Sequence, residues 1–244
     1  MNDDSLSPLD EYREVNTAGT LNLAKQAEAA GVERFIFISS IKVNGEHTEL
    51  EFPFKPEVNG VPEDPYGLSK YESEIGLREI AKETGMEVVI IRPPLVYGPG
   101  VKANFACMVK LAFKSLPLPF GDMTKNCRSL VSVDNLVDLI ITCIDHPKAA
   151  NETFLVSDND DLSTAQMFRR LSIACGKSGS LLPVPTFLFN MFFKLIGKAD
   201  IYQRLCGSLQ VDISHTMETL NWQPPYTVDE GFAKTAKYYL ENKV

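Results

Sequence analysis

The sequence lacks several features that would assign it to a functional class at once. It has 24 lysines and arginines against 32 aspartates and glutamates, and a chain with a net charge of -8 has no general attraction for nucleic acid or anionic lipid. Its five cysteines and three histidines form none of the closely spaced pairs that metal sites use. We therefore expect no nucleic-acid partner, no metal site, and free thiols in a reducing cytoplasm.

Long hydrophobic runs are also absent. The most apolar stretch, residues 181–196, is interrupted by two prolines, an asparagine and a lysine, and it is shorter than the ~20 apolar residues that a membrane span requires. This stretch fits a helix in the core or a pocket wall, and an interfacial helix is the alternative. The sequence shows no signal peptide, so we expect a cytoplasmic protein without a membrane partner.

The patterns that are present predict an α/β fold. Residues 15–30 carry an apolar stripe at helical spacing, residues 66–84 form a second helix, and a glycine ends each of them. Residues 34–39 and 86–92 are continuous apolar runs, which are typical of strands buried on both faces. The order helix, strand, helix, strand with short links predicts a partial doubly wound (Rossmann-like) parallel sheet.

Shorter elements follow in the second half. We predict strands at 128–133 and 154–157, and helices at 105–114, 136–144, 163–175 and 228–240. Asp134 is expected to cap the second of these helices. We interpret residues 1–100 as the core sheet domain. Residues 101–244 are interpreted as a smaller C-terminal α/β region with segments that return to the core.

Tyr66 and Lys70 form a Tyr-x-x-x-Lys motif at the start of a predicted helix. Residues four apart share one helix face, and a nearby ammonium stabilises a phenolate, which lowers the pKa of the tyrosine. Such a pair suits acid/base chemistry between a hydroxyl and a carbonyl. The chain has eight tyrosines, so a chance Tyr-Lys pair at a helix start is the alternative.

The two predicted strands end in polar or rigid sequences. Ligands of doubly wound folds bind outside the carboxyl ends of the strands. Ser40 stands at one such end, where it could donate a hydrogen bond to a substrate hydroxyl or oxyanion; a serine in a strand-end turn is the alternative. The other strand ends at Arg92, and the two prolines that follow predict a rigid wall without free amides.

Five segments together resemble a known family. They are VNTAGT at 15–20, FISSIKVNG at 37–45, DPYGLSK at 64–70, IRPPLVYGPG at 91–100, and LNWQP followed by EG at 220–231. In this order they are similar to the extended short-chain dehydrogenases/reductases of the NAD-dependent epimerase/dehydratase family. The likeness is to the UDP-glucose 4-epimerase type and its surface-polysaccharide branch, and it covers essentially the whole chain.

The resemblance implies a role for each matched residue. Ser40, Tyr66 and Lys70 become a catalytic triad in which Tyr66 is the acid/base. The implied contacts to NAD or NADP are Asn16, Ser39, Tyr66, Lys70 and Pro93. The implied contacts to the substrate are Ser40, Asn104 and Arg128. A guanidinium such as that of Arg128 suits a pyrophosphate, and a surface ion pair is the alternative interpretation of this residue.

Some positions depart from the family pattern. Ile41 and Lys42 stand where the 4,6-dehydratases carry an Asp-Glu pair, which counts against a dehydratase. Asn44 and Leu95 replace a tyrosine and an asparagine that many members have, and both leave the exact sugar open.

The resemblance also implies a preceding βαβαβ half with a glycine-rich phosphate-binding turn. No G-x-G-x-x-G or G-x-x-G-x-x-G turn occurs in this sequence. We therefore expect a truncated chain, in which residues 1–100 are the C-terminal part of an NAD(P)-binding domain and strand 34–39 lies at a sheet edge. Weak binding of NAD and NADP is the corresponding expectation; micromolar affinity in a calorimetric titration would contradict it.

Two functional hypotheses follow. The leading one is an NAD(P)-dependent redox enzyme that acts on a UDP-hexose or UDP-N-acetylhexosamine, as a 4-epimerase or a 4-keto reductase. The alternative is a catalytically inactive, truncated module that binds a sugar nucleotide or a protein. The family analogy further implies a homodimer that forms through the helix at 66–84.

Overall fold

The computed structural model describes residues 7–114, 117–195, 197 and 199–242. Its strands are β1 (Arg34–Ile38), β2 (Glu87–Arg92), β3 (Leu95–Tyr97), β4 (Leu130–Ser132) and β5 (Thr153–Leu155). Its α-helices are α1 (Pro8–Tyr12), α2 (Gly19–Ala29), α3 (Pro65–Thr84), α4 (Ala103–Phe113), α5 (Val133–Asp145), α6 (Thr164–Ala174), α7 (Thr186–Leu195), α8 (Ala199–Cys206), α9 (Ser214–Leu220) and α10 (Val228–Glu241).

Two parallel sheets organise the described chain. The larger one has the strand order β1-β2-β5, and the smaller one pairs β3 with β4. Within the described residues β1 lies at one edge of the larger sheet, as predicted. Strand β5 comes from the second half of the sequence and extends a sheet begun by the first half. The division at residue 100 remains a prediction.

The side chains of β2 alternate between two buried layers. Val88 and Ile90 belong to a cluster with residues of α2 and α3, whereas Val89 and Ile91 pack with residues of α5. Because successive strand residues point to opposite faces, helices cover both sides of this sheet. The sheet is therefore doubly wound, which confirms the predicted fold class.

Helix α3 positions the candidate site, and its ends are defined by local sequence. The Asp64 side chain accepts a hydrogen bond from the Gly67 backbone nitrogen, and Pro65 occupies the first turn. Gly85 ends the helix in the left-handed conformation, with a φ of 81°. The predicted helix over 66–84 is thus confirmed.

One prediction for the second half needs correction. Helix α5 is capped by Ser132, whose hydroxyl accepts from the Asn135 nitrogen, and Asp134 lies within the first turn. Helix α7 packs against the core on one side through Phe189, whereas Phe187, Met191 and Leu195 are all more than half exposed. None of the described helices has both the length and the apolar character that a membrane crossing needs.

Candidate active site

The structure brings Ser40 and Tyr66 together at the carboxyl end of β1. Ser40 follows the last residues of the strand, and the backbone nitrogen of Ile41 donates to the carbonyl of Pro93, 3.0 Å away. This bond ties the end of β1 to the end of β2. The Ser40 side chain lies close enough to the Tyr66 phenol to favour its ionised form. The two predicted catalytic hydroxyls are therefore neighbours, in the part of the fold where doubly wound proteins bind ligands.

Tyr66 is partly buried and has a mixed electrostatic environment. Burial raises the pKa of its phenol, and this effect exceeds the lowering by the charge of Lys42 and by the nearby Ser40 hydroxyl. The charge of Asp64 adds a smaller increase. The pKa of Tyr66 is therefore raised in this structure, and the expectation of a lowered value is wrong for this state of the molecule.

Lys70 does not supply the charge that faces the phenol. Its Nζ donates to the carbonyl of Ile38 at 3.0 Å and lies 4.5 Å from the centre of the Phe37 ring. Burial lowers the pKa of this ammonium, and the charge of Glu74 opposes that effect. Lys70 is nevertheless at the end of β1, where one carbonyl engages one of its three donors.

Lys42 is a neighbour of Tyr66 that the sequence motifs do not predict. It lies in a 3-10 turn, Ile41–Val43, directly after Ser40. Its Nζ donates to Asp64 at 3.0 Å and to Glu46 at 2.9 Å. The signal available in the sequence was its position two residues after Ser40.

A buried ion pair lies beneath the site. Arg92 and Glu74 are both 2% exposed, and two of the guanidinium nitrogens bind the carboxylate, Nε at 2.8 Å and a terminal nitrogen at 2.5 Å. The hydroxyl of Ser39 donates to the same carboxylate at 2.6 Å. Ser39 is itself buried, so its side chain holds α3 to β1, and this geometry does not support the predicted contact of that hydroxyl with the cofactor.

The remaining nitrogen of Arg92 fixes the loop beside the site. It donates to Asn44 at 3.0 Å and to the carbonyl of Pro56 at 2.8 Å. The amide nitrogen of Asn44 donates in turn to the carbonyls of Lys55 and Glu57. Asn44, which departs from the family pattern, therefore holds this loop in place.

Asn16 contacts α3 from a neighbouring helix. It lies in a π-helical segment, Arg13–Ala18, and its amide donates to the Ser69 hydroxyl at 3.0 Å. Ser69 donates to the carbonyl of Tyr66. Asn16 is thus two hydrogen bonds from the backbone of the proposed acid/base, and π-helical turns are frequent at functional sites.

The surroundings of Arg128 differ from those of an arginine in a surface ion pair. One of its nitrogens donates to the carbonyl of Gly207 at 3.0 Å, and burial lowers the pKa of the guanidinium. Within the described residues no carboxylate is paired with it. A partly buried cation without a protein counter-ion suits a bound anion. Asn104 lies in the first turn of α4, but its side chain lies outside the described part of the structure.

Comparison with known proteins identifies the family. A family model described as "NAD dependent epimerase/dehydratase family" matches residues 2–157. The chain is 63% identical over 241 residues to a UDP-glucose 4-epimerase of Vibrio cholerae, and the match covers 99% of this chain and 74% of that relative. The family match agrees with the predicted dependence on a nicotinamide cofactor.

Solved structures agree with the fold. A UDP-glucose 4-epimerase from Thermotoga maritima, solved with UDP-glucose, has a TM-score of 0.73 at 22% identity, with 95% of this chain and 71% of that chain covered. A UDP-N-acetylglucosamine 4-epimerase from Bacillus cereus has a TM-score of 0.77 at 16% identity, with 100% and 76% covered. On the evidence of the family model and the Vibrio cholerae relative, this chain belongs to the NAD dependent epimerase/dehydratase family.

Proposed function

We propose that this chain carries out the NAD-dependent 4-epimerisation of a UDP-hexose, with glucose and galactose as the sugars. The position of Ser40, Tyr66 and Lys70 around the carboxyl end of β1 carries this proposal. The 63% identity to a UDP-glucose 4-epimerase favours epimerisation over reduction of a keto-sugar, and UDP-glucose over other substrates.

The two hydroxyls divide the proton chemistry between them. Tyr66 takes the proton from the sugar hydroxyl and later returns it to the same oxygen. Ser40 hydrogen-bonds that oxygen and stabilises the charge that develops on it. The nicotinamide, when bound, supplies the acceptance and return of hydride. Because the proton and the hydride both come back to the sugar, the cofactor is unchanged at the end of each cycle.

The donor set at the end of β1 fits a nicotinamide ribose. An ammonium has three donors, and the carbonyl of Ile38 uses one donor of Lys70. The other donors suit the two ribose hydroxyls. Asn16 holds α3 in register through Ser69, and Pro93 fixes the wall of the site through its bond to Ile41.

Arg128 supports a substrate that carries a diphosphate. Its guanidinium is partly buried and bound to a carbonyl, and a planar fork of donors binds phosphate oxygens in a bidentate way. Asn104 completes the predicted diphosphate contacts. The sugar of the nucleotide would then extend from Arg128 towards Tyr66.

Product analysis tests this proposal. The protein is incubated with UDP-glucose and with NAD at a concentration high enough to offset the weak cofactor binding expected from the sequence, the sugar nucleotides are separated, and reduced nicotinamide is followed by absorbance. We expect UDP-galactose without net formation of reduced cofactor, and no product with Tyr66→Phe. Stoichiometric consumption of the cofactor would favour the 4-keto reductase instead, and binding of UDP-glucose without turnover would favour the inactive module.

Three further predictions belong to this proposal. We propose a cytoplasmic location, supported by five unpaired cysteines. We propose a homodimer that forms through α3, which size-exclusion chromatography with light scattering would test. We also propose that residues 1–100 serve mainly the cofactor and residues 101–244 mainly the substrate.

A further inference from the structure

The side chain of Lys42 is held at its tip by two carboxylates. Its ammonium lies 3.0 Å from an oxygen of Asp64 and 2.9 Å from an oxygen of Glu46. One third of the side chain is exposed, so the charge is only partly screened by water. The hydrogen bonds to Glu46 and Asp64 more than offset the effect of burial on this lysine, and its pKa is raised. Lys42 is therefore a fixed positive charge.

The backbone of Lys42 is held as well. Its nitrogen donates to the Ser40 hydroxyl oxygen at 3.3 Å. On the other side it packs against the first turn of α3, where a Cβ added to Gly67 would lie 2.7 Å from the Lys42 carbonyl oxygen. A glycine in this position allows the turn that carries Tyr66 to approach Lys42 closely.

The groups around Tyr66 come from three elements. Lys42 and Ser40 approach from the strand-end turn, and Asp64 from the N-cap of α3. The ring of Tyr12, from α1, meets the Tyr66 ring edge-on at 5.5 Å between centres. Lys70 lies on the same helix, but its ammonium binds the end of β1. The fixed ammonium next to Ser40 is thus that of Lys42.

We propose that Lys42 is a positioning residue for the reaction, because its ammonium, held between Asp64 and Glu46, stabilises the phenolate form of Tyr66. Asp64 has two effects: it holds the ammonium in place, and its own charge opposes ionisation of the phenol. The Tyr-x-x-x-Lys motif is then completed by a second lysine from the preceding turn. This inference rests on the proposed role of Tyr66 as acid/base.

A purely structural role for Lys42 predicts different behaviour. In that case the lysine only fastens the turn after β1 to the start of α3. Loss of the lysine would lower stability and activity, but the pH at which Tyr66 ionises would not change. The titration of Tyr66 therefore separates the two roles, and it needs neither cofactor nor turnover.

The test is a pH titration of the protein labelled with carbon-13 at the tyrosine Cζ. The Tyr66 signal is assigned by its loss in Tyr66→Phe. We expect Lys42→Gln to shift the Tyr66 midpoint to higher pH, and Lys42→Arg, which keeps the charge, to leave it nearly unchanged. Lys25→Gln removes an exposed lysine of α2 and is the matched control, with no expected shift.

Lys42→Met provides an independent arm if Lys42→Gln does not fold. A methionine keeps a long, flexible apolar side chain in this position, but it removes the ammonium. The Tyr66 midpoint should again move to higher pH. An unchanged midpoint in Lys42→Gln, or in Lys42→Met where the first variant is unfolded, would overturn the proposal.

Enzyme kinetics separate this inference from the proposed function. In an active protein, the acidic limb of the kcat/KM profile should move with the Tyr66 midpoint in each variant. The expected titration shifts in a protein that does not epimerise UDP-glucose would leave the role of Lys42 standing and reject the proposed reaction. Turnover of UDP-glucose with an unmoved Tyr66 midpoint would support the proposed reaction and reject the role of Lys42.

Discussion

Tyr66 and Tyr97 have opposite electrostatic surroundings. Tyr97 is 1% exposed, and its hydroxyl donates to Asp158 at 2.7 Å. Burial raises the pKa of Tyr97, and the charge and hydrogen bond of Asp158 raise it further. Burial raises the pKa of Tyr66 as well, but the charge of Lys42 opposes that increase. A carboxylate thus reinforces the effect of burial on one phenol, whereas an ammonium counteracts it on the other.

The buried network of Tyr97 is built for stability. The other oxygen of Asp158 accepts from the Ser132 backbone nitrogen at 2.8 Å and from the Asn135 amide at 2.6 Å. These bonds join the end of β3, the end of β4 and the start of α5. Every donor in this set has a protein acceptor, as buried polar groups require. The Tyr66 site, in contrast, retains donors that a ligand can use.

The largest expected effect is the loss of activity when Tyr66 is replaced. In Tyr66→Phe the phenol that exchanges the proton is lost, and kcat for epimerisation should fall about 100- to 10,000-fold. Urea unfolding should show little change in the free energy of unfolding, since the ring remains. A variant that retains near-normal kcat would show that another group is the acid/base.

The ion pair below Tyr66 should be the most sensitive point for stability. Glu74→Ala leaves the guanidinium of Arg92 buried without a counter-charge, and the free energy of unfolding should fall by about 3–5 kcal/mol in urea. Glu72→Ala, on the same helix, is the control. It removes an exposed pair with Arg13, which water screens, and should cost far less. Equal losses in the two variants would contradict this interpretation.

Tyr97→Phe should lower stability and leave kcat unchanged, whereas Tyr66→Phe should lower kcat and leave stability nearly unchanged. The Tyr97 substitution removes one donor to the buried Asp158, and the free energy of unfolding should decrease by about 1–3 kcal/mol. The kcat of the folded fraction should stay normal. Tyr226→Phe, whose ring is 38% exposed, serves as the control in thermal and urea unfolding. A catalytic defect in Tyr97→Phe without loss of stability would reject the division of roles.

The smallest expected effect concerns the pH dependence of stability. Burial is the main cause of the raised pKa of Asp158. Its carboxyl group therefore contributes stability in acid, and that contribution is lost as the pH rises through the folded-state pKa. Asp158→Asn should remove this decline, which urea unfolding at several pH values would detect as a difference from wild type. The same difference in Asp122→Asn, an exposed control, would show that the effect is not specific.

Much of the fold could be predicted because its signals are local. Helix α3 is bounded by Asp64 and Gly85, and β1 and β2 are uninterrupted apolar runs. The cap of α5 was wrongly predicted because the sequence around residue 132 offers two capping side chains. The helix starts directly after β4. Ser132, the last residue of that strand, therefore makes the capping hydrogen bond, and Asp134 already lies inside the first turn of the helix.

The sequence motifs predict which residues belong to the candidate site, but they do not predict the contacts between those residues. Tyr66 and Ser40 lie close to each other at the end of β1. Sequence spacing, however, did not show that Lys70 would bind the carbonyl of Ile38, or that Lys42 would meet Asp64, 22 positions away. Such contacts depend on how the strand-end turn packs against α3. The bond between Tyr97 and Asp158 spans 61 positions, and it was not predicted for the same reason.

The contrast between the two phenols can be measured directly in the unmodified protein. Carbon-13 at the tyrosine Cζ reports the ionisation of each ring as the pH is raised, with Tyr66→Phe and Tyr97→Phe used for assignment. We predict that Tyr66 ionises at lower pH, while Tyr97 stays neutral until the protein unfolds. Ionisation of Tyr97 before Tyr66, or of both at the same pH, would contradict the claim that local charge gives them different roles.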